Sequence, residues 1–161
     1  MATSATAVDL SIGDQLAYFL AEHREKIMER WVTYVHQDEE LGAVKNLDHE
    51  QLKDHLPAIL DSLSDTLREA FSQGIKEEGL WKAAKHGHIR WKQDCNISEL
   101  IREFALLRTV LIQHLVEFQE SHQQFGGVGW LFGMTVVHGY LDDAIRASAE
   151  EYVRVCGKSK P

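Results

Sequence analysis

The sequence predicts an all-α protein, a single-domain bundle of five or six helices, with a globin-like arrangement as the alternative topology. Three observations carry this. Apolar residues recur at spacings of three and four over most of the chain. The turn formers that an all-β chain needs are scarce: the prolines are Pro57 and Pro161, and glycine is sparse outside one cluster at 126–129. A length of 161 residues, 44% of them hydrophobic, suits one domain with one core.

Residues 1–10 read as a flexible leader, 11–156 as the helical domain and 157–161 as a tail. Ser11 is placed to cap a first helix. Ile12, Leu16, Leu20, Ile27, Trp31 and Tyr34 then repeat at near-helical spacing, as one long helix or two collinear ones ending near Gln37. Residues 38–46 read as a loop. Asp48 followed by Gln51 is a capping-box pattern. It opens a helix with Leu52, Leu56, Ile59, Leu63 and Leu67 on one face. Pro57 lies inside that pattern and predicts a kink, since the apolar period continues past it. Gln73-Gly74 marks the stop.

A shorter helix is expected over 78–93, with Trp81, Ala84, His88 and Trp91 as its seam. Asn96 with Glu99, or Ser98 alone, can cap the next helix, over 98–122. Ile97, Leu100, Phe104, Leu107, Leu111, His114 and Phe118 form its first seam. Ile101, Ala105, Arg108, Ile112 and Leu115 form a second beside it. Two seams predict a central helix with neighbours on two sides. Residues 124–129 read as a turn. A final helix over 128–156 follows, with its seam at Val128, Leu131, Thr135, His138, Asp142, Ile145, Ala149, Tyr152 and Cys156.

The formal charge of −8 argues against nucleic acid, whose binding rests on clustered Lys and Arg. Cys95 and Cys156 make no C-x-x-C pattern, so neither a disulfide framework nor a cysteine zinc site is expected. The N-terminus lacks the basic and apolar regions of a secretory signal, and no apolar run approaches the ~20 residues of a membrane span. The expected location is cytoplasmic, with no membrane insertion.

Chemical motifs are sparse. There is no Glu-x-x-His pair for a di-iron site and no H-E-x-x-H zinc pattern. His86 and His88 fall on different sides of a helix, which is poor for chelation. There is no nucleophile elbow and no phosphate loop; Cys95 near His86 and His88 is the weak candidate for a cysteine dyad. No metal or cofactor is called for. The alternative is a globin-like haem sensor using His86, His88 or His114. Gly129 and Gly133 form a G-x-x-x-G, read as close packing within the fold, or else as a dimer contact.

Polar residues on apolar seams carry more information, because a buried imidazole or guanidinium needs a partner. These are His55, His86, Arg90, Glu103, Arg108 and His114, and the pair His138 and Asp142. Glu103 and Arg108 are five apart on one helix and do not face each other, so each needs a partner from elsewhere. We expect His55, His86, Arg90, Glu103 and Arg108 to converge as a polar network or ligand site. A homodimer is expected through the final helix, at His138, Asp142, Ile145, Ala149 and Tyr152.

Four pieces stand in order: Leu52-Lys-Asp-His-Leu-Pro-Ala-Ile-Leu-Asp61, His86-Gly-His-Ile-Arg90, Glu99-Leu-Ile-Arg-Glu-Phe-Ala-Leu-Leu-Arg108, and Leu141-Asp-Asp-Ala-Ile145 followed by Tyr152. Together they resemble the N-terminal input domain shared by stressosome-type RsbT co-antagonist regulators (the RsbRD N-terminal family) and many bacterial sensor histidine kinases. The resemblance covers about residues 15–153. Glu103, Phe104, Leu107 and Arg108 fit its second signature. It departs at Gln93-Asp94-Cys95, where the pattern has a glycine before the long helix. The resemblance implies a cytoplasmic module that controls a downstream kinase or regulator and is not itself an enzyme. In kinases of this type a phosphoacceptor helix and an ATP-binding domain follow, and any kinase activity would lie there.

Overall fold

A computed structural model describes residues 11–70 and 77–158. Among these residues the chain forms α-helices and two short 3-10 turns, with no strand. The helices are α1 (Ile12–Glu22), α2 (Arg24–Gln37), α3 (His49–Lys53), α4 (Leu56–Glu69), α5 (Glu77–Lys92), α6 (Ile97–Ser121) and α7 (Gly126–Lys158). The expected leader at 1–10 and the stop at Gln73-Gly74 lie outside the described residues.

Local chemistry accounts for the boundaries. Ser11 Oγ accepts the Asp14 N–H at 3.1 Å and starts α1. The first helix comes as two, and they part company: α1 packs against α4, and α2 against α6. Asp48 and Gln51 form the full capping box of α3, and Asn96 and Glu99 that of α6. Both leave the first N–H groups of their helices bonded rather than orphaned.

Pro57 does more than kink its helix. The helical pattern breaks at Asp54 and His55, and α4 restarts with the proline in its first turn. The partner of an N–H at position 57 would be the Lys53 carbonyl, four residues back. Proline has no N–H, and its ring crowds that carbonyl. Lys53 is the last residue of α3. This break divides the expected helix into the short α3 and the longer α4.

The turn before α6 resolves the missing glycine. Asp94 takes the left-handed conformation itself, at φ 58°. Cys95 N–H donates to Arg90 O at 3.1 Å and Asp94 N–H to Trp91 O at 3.2 Å. That is a Schellman ending with Asp94 in the place glycine usually takes.

Three seams sit differently from expectation. On α5 the buried face is Ala83, His86, Gly87 and Arg90, while Trp81 is 64% exposed. On α6 the first seam is buried from Leu100 to Phe118, but of the second only Leu115 is; Ile101, Ala105 and Val116 face outward. On α7 the buried face is Gly129, Gly133, Val137, Tyr140, Leu141, Ala144, Ser148 and Val155. Val128 and Leu131 are exposed. Helix α7 starts at Gly126, so the glycine cluster belongs to its first turns and not to a loop. A Cβ on Gly129 would meet Ile12 and Phe125, and one on Gly133 would meet Leu16 and Leu115. The G-x-x-x-G thus serves close packing inside the fold.

The core is continuous. It runs from Leu16, Leu20, Ile27 and Trp31 through Leu63 and Leu67 to Phe104, Leu107, Leu111, Val137 and Leu141. Helix α7 lies between α5 and α6 and carries the most extensive contacts.

Candidate functional site

The polar centre of the molecule lies where α2, α3, α5 and α6 meet. Gly87 makes it possible. A Cβ there would run into the backbone carbonyl of Ser148 on α7. Glycine lets α5 press against α7, and Ser148 Oγ donates to Ala83 O across the contact at 2.5 Å. So seated, α5 directs His86 and Arg90 into the core, at 5% and 0% exposure.

Arg90 is saturated. Its Nε donates to both oxygens of Glu103 at 3.0 Å, and Nη2 to Glu103 Oε1 at 2.8 Å. Nη1 donates to Gln93 Oε1 at 2.7 Å and to the Gln51 carbonyl at 3.2 Å. Nη2 also donates to the Leu52 carbonyl at 3.2 Å. Five N–H groups are all that a guanidinium has. Two of the acceptors are carbonyls at the C-terminus of α3, which the break before Pro57 leaves without helical partners. A cation is favoured at that end of a helix.

Glu103 is 1% exposed. Burial opposes its ionisation, but His86 and Arg90 together hold the carboxyl below its ordinary range. His86 Nε2 lies 3.5 Å from Glu103 Oε2. An ionised carboxylate only accepts, so this nitrogen carries the proton. Burial pushes the His86 pKa down, against the pull of Glu103. Trp31 Nε1 donates to the backbone carbonyl of Glu103 at 3.0 Å and ties in α2.

His55 closes the group. Its ring stands edge-on to His86, with centroids 5.7 Å apart. Burial first, and then the neighbouring His86, push its pKa down to about 4. His55 Nε2 is 3.3 Å from Asp54 Oδ2 but is not aligned for a hydrogen bond. Among the described residues neither His55 Nε2 nor His86 Nδ1 has a hydrogen-bond partner. A cavity of about 10 Å³ adjoins His86, lined also by Trp31, Leu52, Ile59, Glu103 and Phe104, among others. That is room for about one water molecule.

The structure therefore brings four of the five expected residues together. Arg108 stands apart, paired with Asp142 of α7. Five residues turn a helix by about 500°, so Arg108 points roughly 140° away from Glu103. His114 is fully buried on nearly the same face of α6 but about three turns further along, with Nδ1 donating to Val110 O at 2.9 Å. Gln93, Trp31 and the two α3 carbonyls belong to the site and were not foreseen. The one sequence signal for the carbonyls was Pro57.

Of the histidines considered for haem, His86 Nε2 faces Glu103, His88 Nδ1 faces Glu151 at 3.3 Å, and His114 donates Nδ1 to Val110 O while its Nε2 has no hydrogen-bond partner among the described residues. The cavity at His86 is far below the roughly 300 Å³ where small-molecule sites begin. No group of three or more His, Cys, Asp or Glu among the described residues could hold a metal ion.

A family model for the RsbT co-antagonist protein RsbRD N-terminal domain matches residues 25–156. The chain belongs to this family. No curated protein and no solved structure matches it. In this RsbRD N-terminal domain the motif residues now have physical roles. Gly87 of the His-Gly-x-x-Arg piece seats α5, and Arg90 and Glu103 join the second and third pieces by a buried ion pair. Arg108 and Asp142 join the third and fourth. The family is one of regulatory input domains, and among the described residues no helix is long and apolar enough to cross a membrane.

Proposed function

We propose that this chain is a cytoplasmic signal-input domain that biases a downstream kinase or stressosome-type regulator and performs no catalytic step. The carrying observation is the Arg90–Glu103 pair. It couples α3, α5 and α6 through one saturated guanidinium, and Trp31 adds α2. A domain that transmits must have an element both ends can bias. The open nitrogens of His55 and His86 are where such a bias would enter. Any change that recruits Glu103 or recharges His86 shifts α5 against the end of α3. The reactive groups of the domain support a non-catalytic role: burial pushes the Cys95 thiol up to about 12, far from a nucleophile's range.

The output side is a homodimer. Ile101, Ala105, Thr109 and Val116 give α6 an outward stripe that is apolar or nearly so, and Ile145 and Ala149 stand half-buried on α7. The Arg108–Asp142 pair links these two helices. A second copy laid against this face would form a four-helix contact, and small helix shifts there are a known route of transmission. The dimer surface so placed includes His138, Asp142, Ile145 and Ala149. Tyr152 is turned toward its own domain, its hydroxyl donating to Cys95 O at 2.9 Å.

The input role is tested by joining the chain to a histidine-kinase core stripped of its own sensor. Autophosphorylation is then compared between the native fusion and one carrying Glu103→Gln. The expected result is a several-fold difference at equal folded protein. Equal rates in both fusions count against the reading.

A further inference from the structure

We propose that the groove between α5 and α7, on the side away from the buried ion pair, docks an acidic amphipathic helix of a partner protein. The inference stands on this surface alone and does not depend on the input role.

Trp81, Lys85, His88 and Lys92 recur at four, three and four, so they form one stripe along α5. Trp81 is 64% exposed, unusual for the largest apolar side chain, and lies between two adjoining grooves of about 480 and 370 Å³. Lys85 Nζ sits 5.8 Å above the indole ring. The floor of the larger groove is apolar, with Ala84 and Ile89.

The charge of the groove opposes that of the molecule. The chain carries −8, yet the larger groove has Lys85, Lys92 and Arg154 against the single carboxylate of Glu151. That carboxylate is already held by Arg154 and by His88, at 3.3 Å from the latter. Neither Lys85 nor Lys92 has a carboxylate within ion-pair distance among the described residues. Apolar floor, exposed indole and unpaired cations are what an amphipathic acidic helix complements: apolar residues at i, i+3 and i+4 against Trp81 and Ile89, carboxylates toward the lysines. The stripe from Trp81 to Lys92 is about 17 Å long, the length of a helix of roughly three turns. A nucleic acid is disfavoured, since its continuous backbone would run on into an acidic surface.

The test uses the full chain and a fluorescein-labelled twelve-residue helix of Leu, Ala and Glu, with Leu at i, i+3, i+4 and i+7 and Glu elsewhere on the flanks. Its partner peptide has Lys for every Glu. Binding is read by anisotropy at low salt. The acidic peptide is expected to bind, at least tenfold more weakly to Trp81→Ala. The Lys85→Glu/Lys92→Glu variant should lose the acidic peptide and gain the basic one, a swap that loss of folding cannot imitate. Both are surface changes whose folding circular dichroism verifies. The proposal is overturned if the native protein takes both peptides equally, or if neither variant alters binding. It is also overturned if a poly-dT oligonucleotide or anionic phospholipid vesicles compete more strongly than the peptide, or if Trp81→Ala instead abolishes self-association.

Discussion

Glu103 is a carboxylate with nowhere else to go. Replacing it by Gln leaves Arg90 charged and buried, and losing one partner of a buried pair costs about 3–5 kcal/mol. Urea titration should show that loss. Replacing both Arg90 and Glu103 by Met should cost clearly less than the sum of the single changes, because no stranded charge remains. Acid acts on the same group through His55. Its folded pKa of about 4 lies below the ordinary 6.5, so between those values the unfolded chain binds more protons. Stability therefore rises with pH across that window and is lost on acidification, by roughly 3 kcal/mol in all. Glu103 acts in the same direction, its contribution fading as pH falls through the carboxylate range. In His55→Phe the decline between pH 6.5 and 4 should flatten in thermal melts; an unchanged slope would refute His55 as its source. These residues were legible because a charged or imidazole side chain on an apolar seam demands an explanation. Gln93 gave no such sign, being a polar residue in a polar stretch, and Trp31 reads as core whether or not its N–H is used. Backbone carbonyls have no signature of their own.

Helices α5 and α7 were the elements most misread, and for one reason. Their contact is made by small residues, Gly87 against Ser148, which close approach buries without any apolar side chain. Periodicity weighs bulk, so Trp81 and Leu131 drew the seams toward faces that the structure leaves open. Gly87→Ala tests this contact: overpacking against a backbone carbonyl should cost about 3 kcal/mol or more. Gly139→Ala on α7 meets nothing within 4 Å and should instead stabilise by up to about 1 kcal/mol, as alanine does in a helix. Equal effects of the two would mean that the α5–α7 approach is looser than described. The end of α5 offers a third measurement. Asp94 bears the strain of a left-handed residue, and Asp94→Gly should raise stability by about 1 kcal/mol. The helix starts, by contrast, were readable from capping residues alone, since Ser11, Asp48 and Asn96 each bond the N–H that their position predicts.

At the scale of the whole molecule, self-association is decided by mass. Light scattering at tens of micromolar should give about twice 18.4 kDa for the native chain. Ala149→Glu and Ile112→Glu, on the two helices of the proposed face, should each return it to the single-chain mass. A native mass near 18.4 kDa at every concentration would remove the dimer. The all-α class was visible in the sequence because periodicity and scarce turn formers act over the whole length. Which helix neighbours which was not, since every amphipathic helix offers the same kind of face to any other. The two cysteines supply one more handle on the assembled domain. Cys156 is exposed near the end of α7, whereas Cys95 is buried in the turn joining α5 to α6. An alkylating reagent should consume the first thiol at once and the second only at the rate at which that turn opens. The slow phase is then a clock for a single hinge, running in the native protein without any inserted probe. Any ligand or partner that tightens α5 against α6 will announce itself by lengthening that phase.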